Sequence, residues 1–308
     1  MTDAPLPWIS ADEVFARVSF GAAVRAFQRD LRAGLDPAHD FTRSILDLAH
    51  GQLLLMPTQS PEFVGIKVAT VAPGNQALGK ARIQAVYLLM DAATLSPIAL
   101  IDGTALTTLR TPAVSAAVAD FLAPAHVDHL VVFGSGPQAW GHIEAMQAIR
   151  RVGRVTIVAR DPGRAAALVS RVQASGANAR IGRADDVRDA QLIVCATTAR
   201  TPLFDGSLVP DESLSVAVGS HEADARELDS ALIVRAQVVV EACAVALSEA
   251  GDLLIPLSEG VIDPASLVPM GDIITGSTPV DHRRPRVFKS SGMSWEDLVI
   301  AAEVFRAG

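Results

Sequence analysis

The chain has 308 residues, half of them hydrophobic and 19% charged, a balance that describes a globular protein with a large core. Its length accommodates two domains. The net charge of −8 and the lack of any basic run argue against nucleic acid as a partner.

Ser10, followed by Asp12 and Glu13, reads as a helix start. Val14, Val18, Ala22, Val24 and Phe27 continue a helical pattern that breaks near Gly21 and ends at Gly34–Pro37. From Phe41 to Tyr87 the pattern changes to short strands over 43–48, 52–56, 63–71 and 82–90, parted by His-Gly, Pro-Thr-Gln-Ser-Pro and Pro-Gly-Asn turns. A further short strand is expected at 99–101. A long helix then runs from about Thr107 to Leu122, with Pro112 in its first turns.

The apolar run 130–133 next enters Gly134–Ser135–Gly136–Pro137–Gln138–Ala139, and Trp140, Ile143, Met146 and Ile149 recur behind it at helical spacing. Strand, Gly-x-Gly-x-x-Ala turn and helix form the context of a dinucleotide-binding fingerprint. Gly134 makes the tight turn, Gly136 lets backbone approach a pyrophosphate, and Ala139 lets helix and strand pack closely. Pro137 suits the first helical turn, and the helix N-terminus offers N–H groups to phosphate.

Onward from there strand and helix alternate, as a parallel α/β sheet requires. Strands are expected at 130–133, 155–159, 179–182, 192–196, 215–218 and 238–241. Helical runs are expected at 138–150, 162–174, 185–189, 225–234, 244–250 and 264–270, with a last amphipathic helix at 295–305. Cys195 and Cys243 lie in apolar runs and read as buried free thiols, without a disulfide or metal site. No uninterrupted apolar stretch reaches membrane-spanning length, and no secretory pattern opens the chain, so a cytoplasmic protein is expected.

In this fold the ribose is read at the end of the second strand, where an acid accepts a free 2′-hydroxyl and arginine accommodates a 2′-phosphate. Arg160 falls at about that position and Arg164 one helical turn on, which favours NADP(H) over NAD(H). The alternative is Asp161 as the ribose acid. Thr197 and Thr198 follow the fourth strand at the carboxyl edge, as ligand contacts or as caps.

Three cations precede the fingerprint. Lys67 interrupts the apolar Val64–Ala69, where burial would shift its pKa enough for acid–base work, unless it is an edge-strand lysine reaching solvent. Arg43 and Arg110 suit bidentate carboxylate binding, with a structural ion pair as the alternative.

Together these features resemble the ornithine cyclodeaminase/μ-crystallin family. The matching pieces are Arg43, Gly51–Pro57, Ile66–Lys67–Val68, Pro73–Gly74–Asn75, Leu109–Ala116 and the turn Gly134–Ala139. Val218–Gly219–Ser220–His221, Arg226–Asp229, Phe288–Gly292 and Glu296–Asp297 complete the match, in the family's order over nearly the whole chain. The resemblance implies an α/β architecture: residues 1–120, rejoined by 290–308, bind substrate and form a homodimer, and residues 121–289 form a Rossmann domain. It implies that Arg43, Lys67 and Arg110 line the substrate pocket beside the nicotinamide, with Lys67 catalytic. His221 joins the substrate side, and Ser220 and Lys289 the cofactor side.

Two departures refine the expectation. The family's cyclodeaminases carry an aspartate soon after the glycine of the fifth Rossmann strand, where this chain has Ser220–His221, with Asp224 outside the matching position. They also carry a threonine where Arg82 stands. Serine at the aspartate position resembles the family's ketimine reductases. The expectation is therefore an NAD(P)H-dependent reductase of a small cyclic ketimine carboxylate, of the Δ1-pyrroline-2-carboxylate or Δ1-piperideine-2-carboxylate type. The alternatives are a cyclodeaminase, an alanine-dehydrogenase-like enzyme, or a dinucleotide-dependent small-ligand binding protein.

Overall fold

Alternation shapes the first sheet. In the computed structural model, which describes residues 5–308, Gly65, Lys67 and Ala69 turn to a buried face and their neighbours do not. The chain divides into two compact units. One comprises the chain up to Asp30 with His39–Thr111 and Met293–Gly308; the other comprises Leu31–Ala38 with Pro112–Gly292.

The first unit holds a six-stranded sheet of β1 (Trp8–Ile9), β2 (Ser44–Leu48), β3 (Gly51–Gln59), β4 (Phe63–Val71), β5 (Ile83–Asp91) and β6 (Pro97–Asp102). Their order is β1-β6-β5-β4-β3-β2, antiparallel except where β1 pairs β6. Register aligns Met56, Lys67, Tyr87 and Ile101 across four strands, all on the buried face. Helix Ser294–Arg306 packs on β3, β4 and β5. Its Trp295 meets Phe27 edge-on at 5.4 Å, a contact worth about 0.5–1.5 kcal/mol beyond its buried area.

Local capping moves two boundaries from those expected. The early helical pattern breaks at Val18 rather than Gly21, because Val18 is extended and the Ser19 hydroxyl accepts the Ala22 N–H. The long helix starts at Gly103, four residues early, because Asp102 accepts the Ala105 N–H at 2.8 Å.

In the second unit all eight described strands are parallel: β7 (Val127–Phe133), β8 (Val152–Val158), β9 (Ala179–Ile181), β10 (Leu192–Cys195), β11 (Leu214–Ala217), β12 (Gln237–Val240), β13 (Val268–Pro269) and β14 (Arg286–Lys289). The order β13-β12-β14-β11-β10-β7-β8-β9 reverses direction between β7 and β10, the switch point of a doubly wound sheet. Both faces are covered, so β10, β11 and β12 are buried at every residue.

Here three expectations are corrected. The helix expected over 225–234 begins only at Ser230, because the Asp252 carboxylate captures the N–H groups of Glu227 and Leu228 and holds that segment open. The run 264–270 splits into a 3-10 turn capped by Asp263, the strand β13, and a helix from Met270 to Thr275. Strand β14 and helix Gly251–Ser258 are additional to the expected elements. Cys195 is buried as expected, whereas Cys243 is only partly so.

Candidate functional site

In the first unit, a group of four charged side chains is buried: Lys67, Arg110, Glu296 and Asp297. Lys67 comes from the middle of β4, flanked on both sides by paired strands, and is only 3% exposed, which excludes a lysine reaching solvent from an edge. Its Nζ donates to Asp297 Oδ2 at 2.6 Å and to Thr107 Oγ1 at 3.3 Å. Burial brings its pKa down to about 8; the Asp297 carboxylate opposes that shift and the Arg110 charge adds to it.

Arg110, on the long helix, donates from Nη1 to Glu296 Oε2, and its Nε lies 3.6 Å from Asp297 Oδ1. Glu296 also accepts the Met293 N–H at 3.1 Å, so it caps the C-terminal helix while pairing with Arg110. Both carboxylates are fully buried in the first turn of that helix, where the helix dipole favours negative charge. Removing one partner from such a cluster leaves an uncompensated buried charge, at a cost of about 3–5 kcal/mol.

Tyr87, on β5 beside Lys67, is fully buried, and its hydroxyl makes no hydrogen bond among the described residues. Burial, with the charges of Asp297 and Asp40, holds its pKa well above the usual phenol value. Asp40 accepts the Trp295 N–H at 2.9 Å, and burial raises its pKa. Arg43 follows three residues later, half-buried and just before β2.

The structure thus gathers Lys67 and Arg110 onto one acidic pair. Glu296, Asp297, Asp40 and Tyr87 were not among the site residues expected. An acidic pair in a first helical turn reads as an ordinary dipole complement; the family resemblance includes Glu296–Asp297 without giving the pair a role, and its burial supplies one.

In the second unit, the glycine turn follows β7 at the switch point. Gly134 has φ +117°, and a Cβ there would fall 2.4 Å from the Ala196 carbonyl oxygen. Gly136 is the N-cap of helix Pro137–Ile149, with open space where a side chain would lie and no described side chain capping the helix. A backbone that can be approached closely, ahead of uncapped N–H groups, fits a dinucleotide pyrophosphate. His142, behind the turn, is fully buried between the Gln138 carbonyl at 2.8 Å and Ser115 Oγ at 3.0 Å, and burial lowers its pKa to about 4.

Arg160 and Arg164 are exposed past the end of β8. Asp161 is used differently from the ribose acid considered above: its Oδ1 caps helix Pro162–Ala174 through the N–H groups of Gly163 and Arg164. Thr197 is half-buried and bonded to Glu227, Thr198 is exposed, and Ser220 is buried with its hydroxyl donating to the Ala225 carbonyl. His221 is exposed. Lys289 is wholly buried, its Nζ donating to the carbonyls of Ala217, Ser220 and Ser290 with Asp252 at 3.5 Å.

Strand order and turn chemistry make the second unit a Rossmann domain, joined in one chain to a smaller α/β unit built around a buried Lys–Asp pair. The chain belongs to the ornithine cyclodeaminase/mu-crystallin family, whose sequence profile matches residues 13–307. It is 33% identical over 274 residues to a Delta(1)-pyrroline-2-carboxylate reductase of Bacillus cereus, covering 85% of this chain and 84% of that protein. Among solved structures, the Delta(1)-pyrroline-2-carboxylate reductase of Thermococcus litoralis, in complex with NADH and L-proline, superposes with a TM-score of 0.92. The two are 26% identical, with 98% of this chain and 97% of that chain covered. An archaeal alanine dehydrogenase dimer with bound NAD also superposes at 0.92, with 25% identity over 98% and 95% of the two chains.

Proposed function

We propose that this protein is a cytoplasmic NAD(P)H-dependent reductase of a small cyclic ketimine carboxylate. The observation that carries the reading is the buried Lys67–Asp297 pair, whose ammonium has its pKa brought down to about 8 and so is able to give up a proton near neutral pH. The likeness to pyrroline-2-carboxylate reductases supports the substrate class.

In this reading, residues 1–120 with 290–308 bind substrate, and residues 121–289 bind the dinucleotide. Gly134 to Ala139 hold the pyrophosphate. Arg160 and Arg164 receive a 2′-phosphate, the basis for preferring NADP(H), and the capping duty of Asp161 supports that preference. Thr197, Thr198 and Ser220 frame the nicotinamide half, with Lys289 bracing the Ser220 loop from behind.

When bound, the reduced nicotinamide supplies a hydride to the C=N carbon. Arg43 and Arg110 bind the substrate carboxylate and fix its orientation. His221 is assigned to the substrate as well. Lys67 donates a proton from Nζ to the imine nitrogen, where the new N–H bond forms, and Asp297 keeps the ammonium aimed and charged beforehand.

The active form is a homodimer built through the first unit. Strand β2 ends its sheet and is exposed along its whole length, with Ile45, Leu46 and Leu48 about half exposed. Such an edge invites pairing with a second copy.

The test is a panel of 2-imino and 2-amino acids assayed with both cofactors. Net NADPH oxidation by a five- or six-membered cyclic imine acid, without added ammonia, is expected. The likeness to alanine dehydrogenase favours a second reading, which ammonia-dependent oxidation with pyruvate would establish instead. Ammonia release from L-ornithine with no net absorbance change would make the protein a cyclodeaminase, and tight ligand binding without turnover would make it a binding protein.

A further inference from the structure

The carboxyl edge of β10 and β11 carries a charged group that no dinucleotide motif includes. Glu227 is fully buried, in the segment that Asp252 holds out of helix. Its two oxygens face two different loops. Oε1 accepts the Thr197 N–H at 2.8 Å and the Thr197 hydroxyl at 2.7 Å, on the loop after β10. Oε2 accepts the Gly219 N–H at 2.7 Å, on the loop after β11. The loops meet so closely that a Cβ on Gly219 would fall 2.1 Å from the Thr197 carbonyl oxygen and 2.6 Å from Glu227 Oε1.

Both ends of this tie are themselves anchored. Ala196, next to Thr197, supplies the carbonyl against which Gly134 packs, so the β10 loop abuts the phosphate turn. Lys289 donates to the carbonyls of Ala217 and Ser220, bracketing Gly219. Among these contacts of the described residues, Glu227 is the carboxylate that bonds both loops.

We propose that Glu227 is a positioning residue for the nicotinamide half of the dinucleotide, setting the spacing of loops 196–199 and 218–221. The proposal rests on the dinucleotide-binding reading above. In a doubly wound sheet the glycine turn takes the pyrophosphate and the end of the second strand reads the adenosine ribose. Strands β10 and β11 belong to the other mononucleotide half, so Glu227 acts there and leaves the adenosine half alone. A carboxylate is needed because three donors converge on it. Glutamine would turn its NH2 toward one loop, setting donor against donor.

The experiment measures binding of NADPH, NADH and ADP to full-length wild type, Glu227→Gln and Thr197→Val. Glu227→Gln is expected to weaken both reduced dinucleotides tenfold or more while ADP affinity stays within twofold. Thr197→Val keeps the backbone bond and loses the hydroxyl, which donates to Glu227 and also accepts the Ala199 N–H at 3.0 Å, so it should weaken them about threefold with the same indifference to ADP. If Glu227→Gln does not fold, Glu227→Asp carries the test: it keeps the carboxylate but is one methylene too short to bond both loops, so it should weaken both reduced dinucleotides and spare ADP. Equal loss for ADP and NADH would make Glu227 a general structural support, and no loss for either would remove it from the site; both outcomes overturn the proposal. A wild type that binds none of the three nucleotides would instead defeat the dinucleotide reading itself.

Discussion

Lys67 Nζ lies 2.6 Å from Asp297 Oδ2, although the two residues are 230 positions apart in the chain. The lysine stands in mid-strand and the aspartate in the first turn of the last helix, and neither side chain is more than 4% exposed. Each makes the burial of the other tolerable, and together they place a titratable proton inside an apolar sheet face.

Replacing Lys67 with Met should lower kcat by a factor on the order of 10² or more, if its proton reaches the imine. NADPH affinity should stay near wild type, because Lys67 is not part of the glycine turn. The variant leaves Asp297 buried with only the more distant Arg110 Nε, at 3.6 Å, as its cation, so Lys67→Met/Asp297→Asn should recover part of the lost melting temperature without recovering turnover. Near-normal turnover in Lys67→Met would remove the lysine from the chemistry.

Arg43 and Arg110 are assigned to a carboxylate whose charge does not change during reaction, so loss of either should raise KM strongly. Any fall in kcat reports lost orientation. Arg110→Ala should also destabilise the fold by about 3–5 kcal/mol, because Glu296 stays buried without its cation. Comparing denaturant midpoints of the two variants separates these effects: Arg43→Ala should raise KM with the smaller stability loss.

The reaction's pH dependence follows from Lys67. Its pKa lies at about 8, below the ordinary 10.5, so the ammonium is present at neutral pH and is lost as pH rises through about 8. Imine reduction that uses this proton should fall roughly tenfold per pH unit above that point. Amine oxidation, which needs the neutral lysine as base, should rise as pH climbs toward about 8 and level off above it. Parallel profiles in the two directions would contradict the assignment.

Arg160→Asp should weaken NADPH far more than NADH. A charge-assisted contact to a 2′-phosphate is worth roughly 1.5–3 kcal/mol, or about one to two decades in affinity. Equal loss for both cofactors would show that the 2′-phosphate is read elsewhere.

Leu46→Lys, in the exposed edge strand β2, should shift the protein toward monomer in light scattering at micromolar concentration. The wild type should scatter as a dimer, and a monomeric wild type would defeat the quaternary reading.

The Rossmann domain was legible in the sequence because its signals are local. Apolar strands, a glycine turn and a helix within about 30 residues form one βαβ unit, and Gly134, Gly136 and Pro137 take their conformations from immediate neighbours. Strand β4 and the anomaly of Lys67 within it were legible for the same reason. What escaped local reading depended on distant partners. Residues 225–229 have a helical pattern, yet the carboxylate of Asp252 takes two of their N–H groups and prevents the helix. Thr197, Ser220 and Lys289 could be assigned to the carboxyl edge, but their engagement with Glu227, Ala225 and backbone carbonyls could not.

The sequence by itself determined the parts: a dinucleotide turn, an apolar strand with one lysine, and an arginine on a long helix. Tertiary structure alone decided that Lys67 and Arg110 share the buried carboxylates of Glu296 and Asp297. The physical reason is desolvation. A charge in a sheet interior or a first helical turn has no fixed meaning along the chain, and acquires one only when folding removes its water and leaves another charge as its partner.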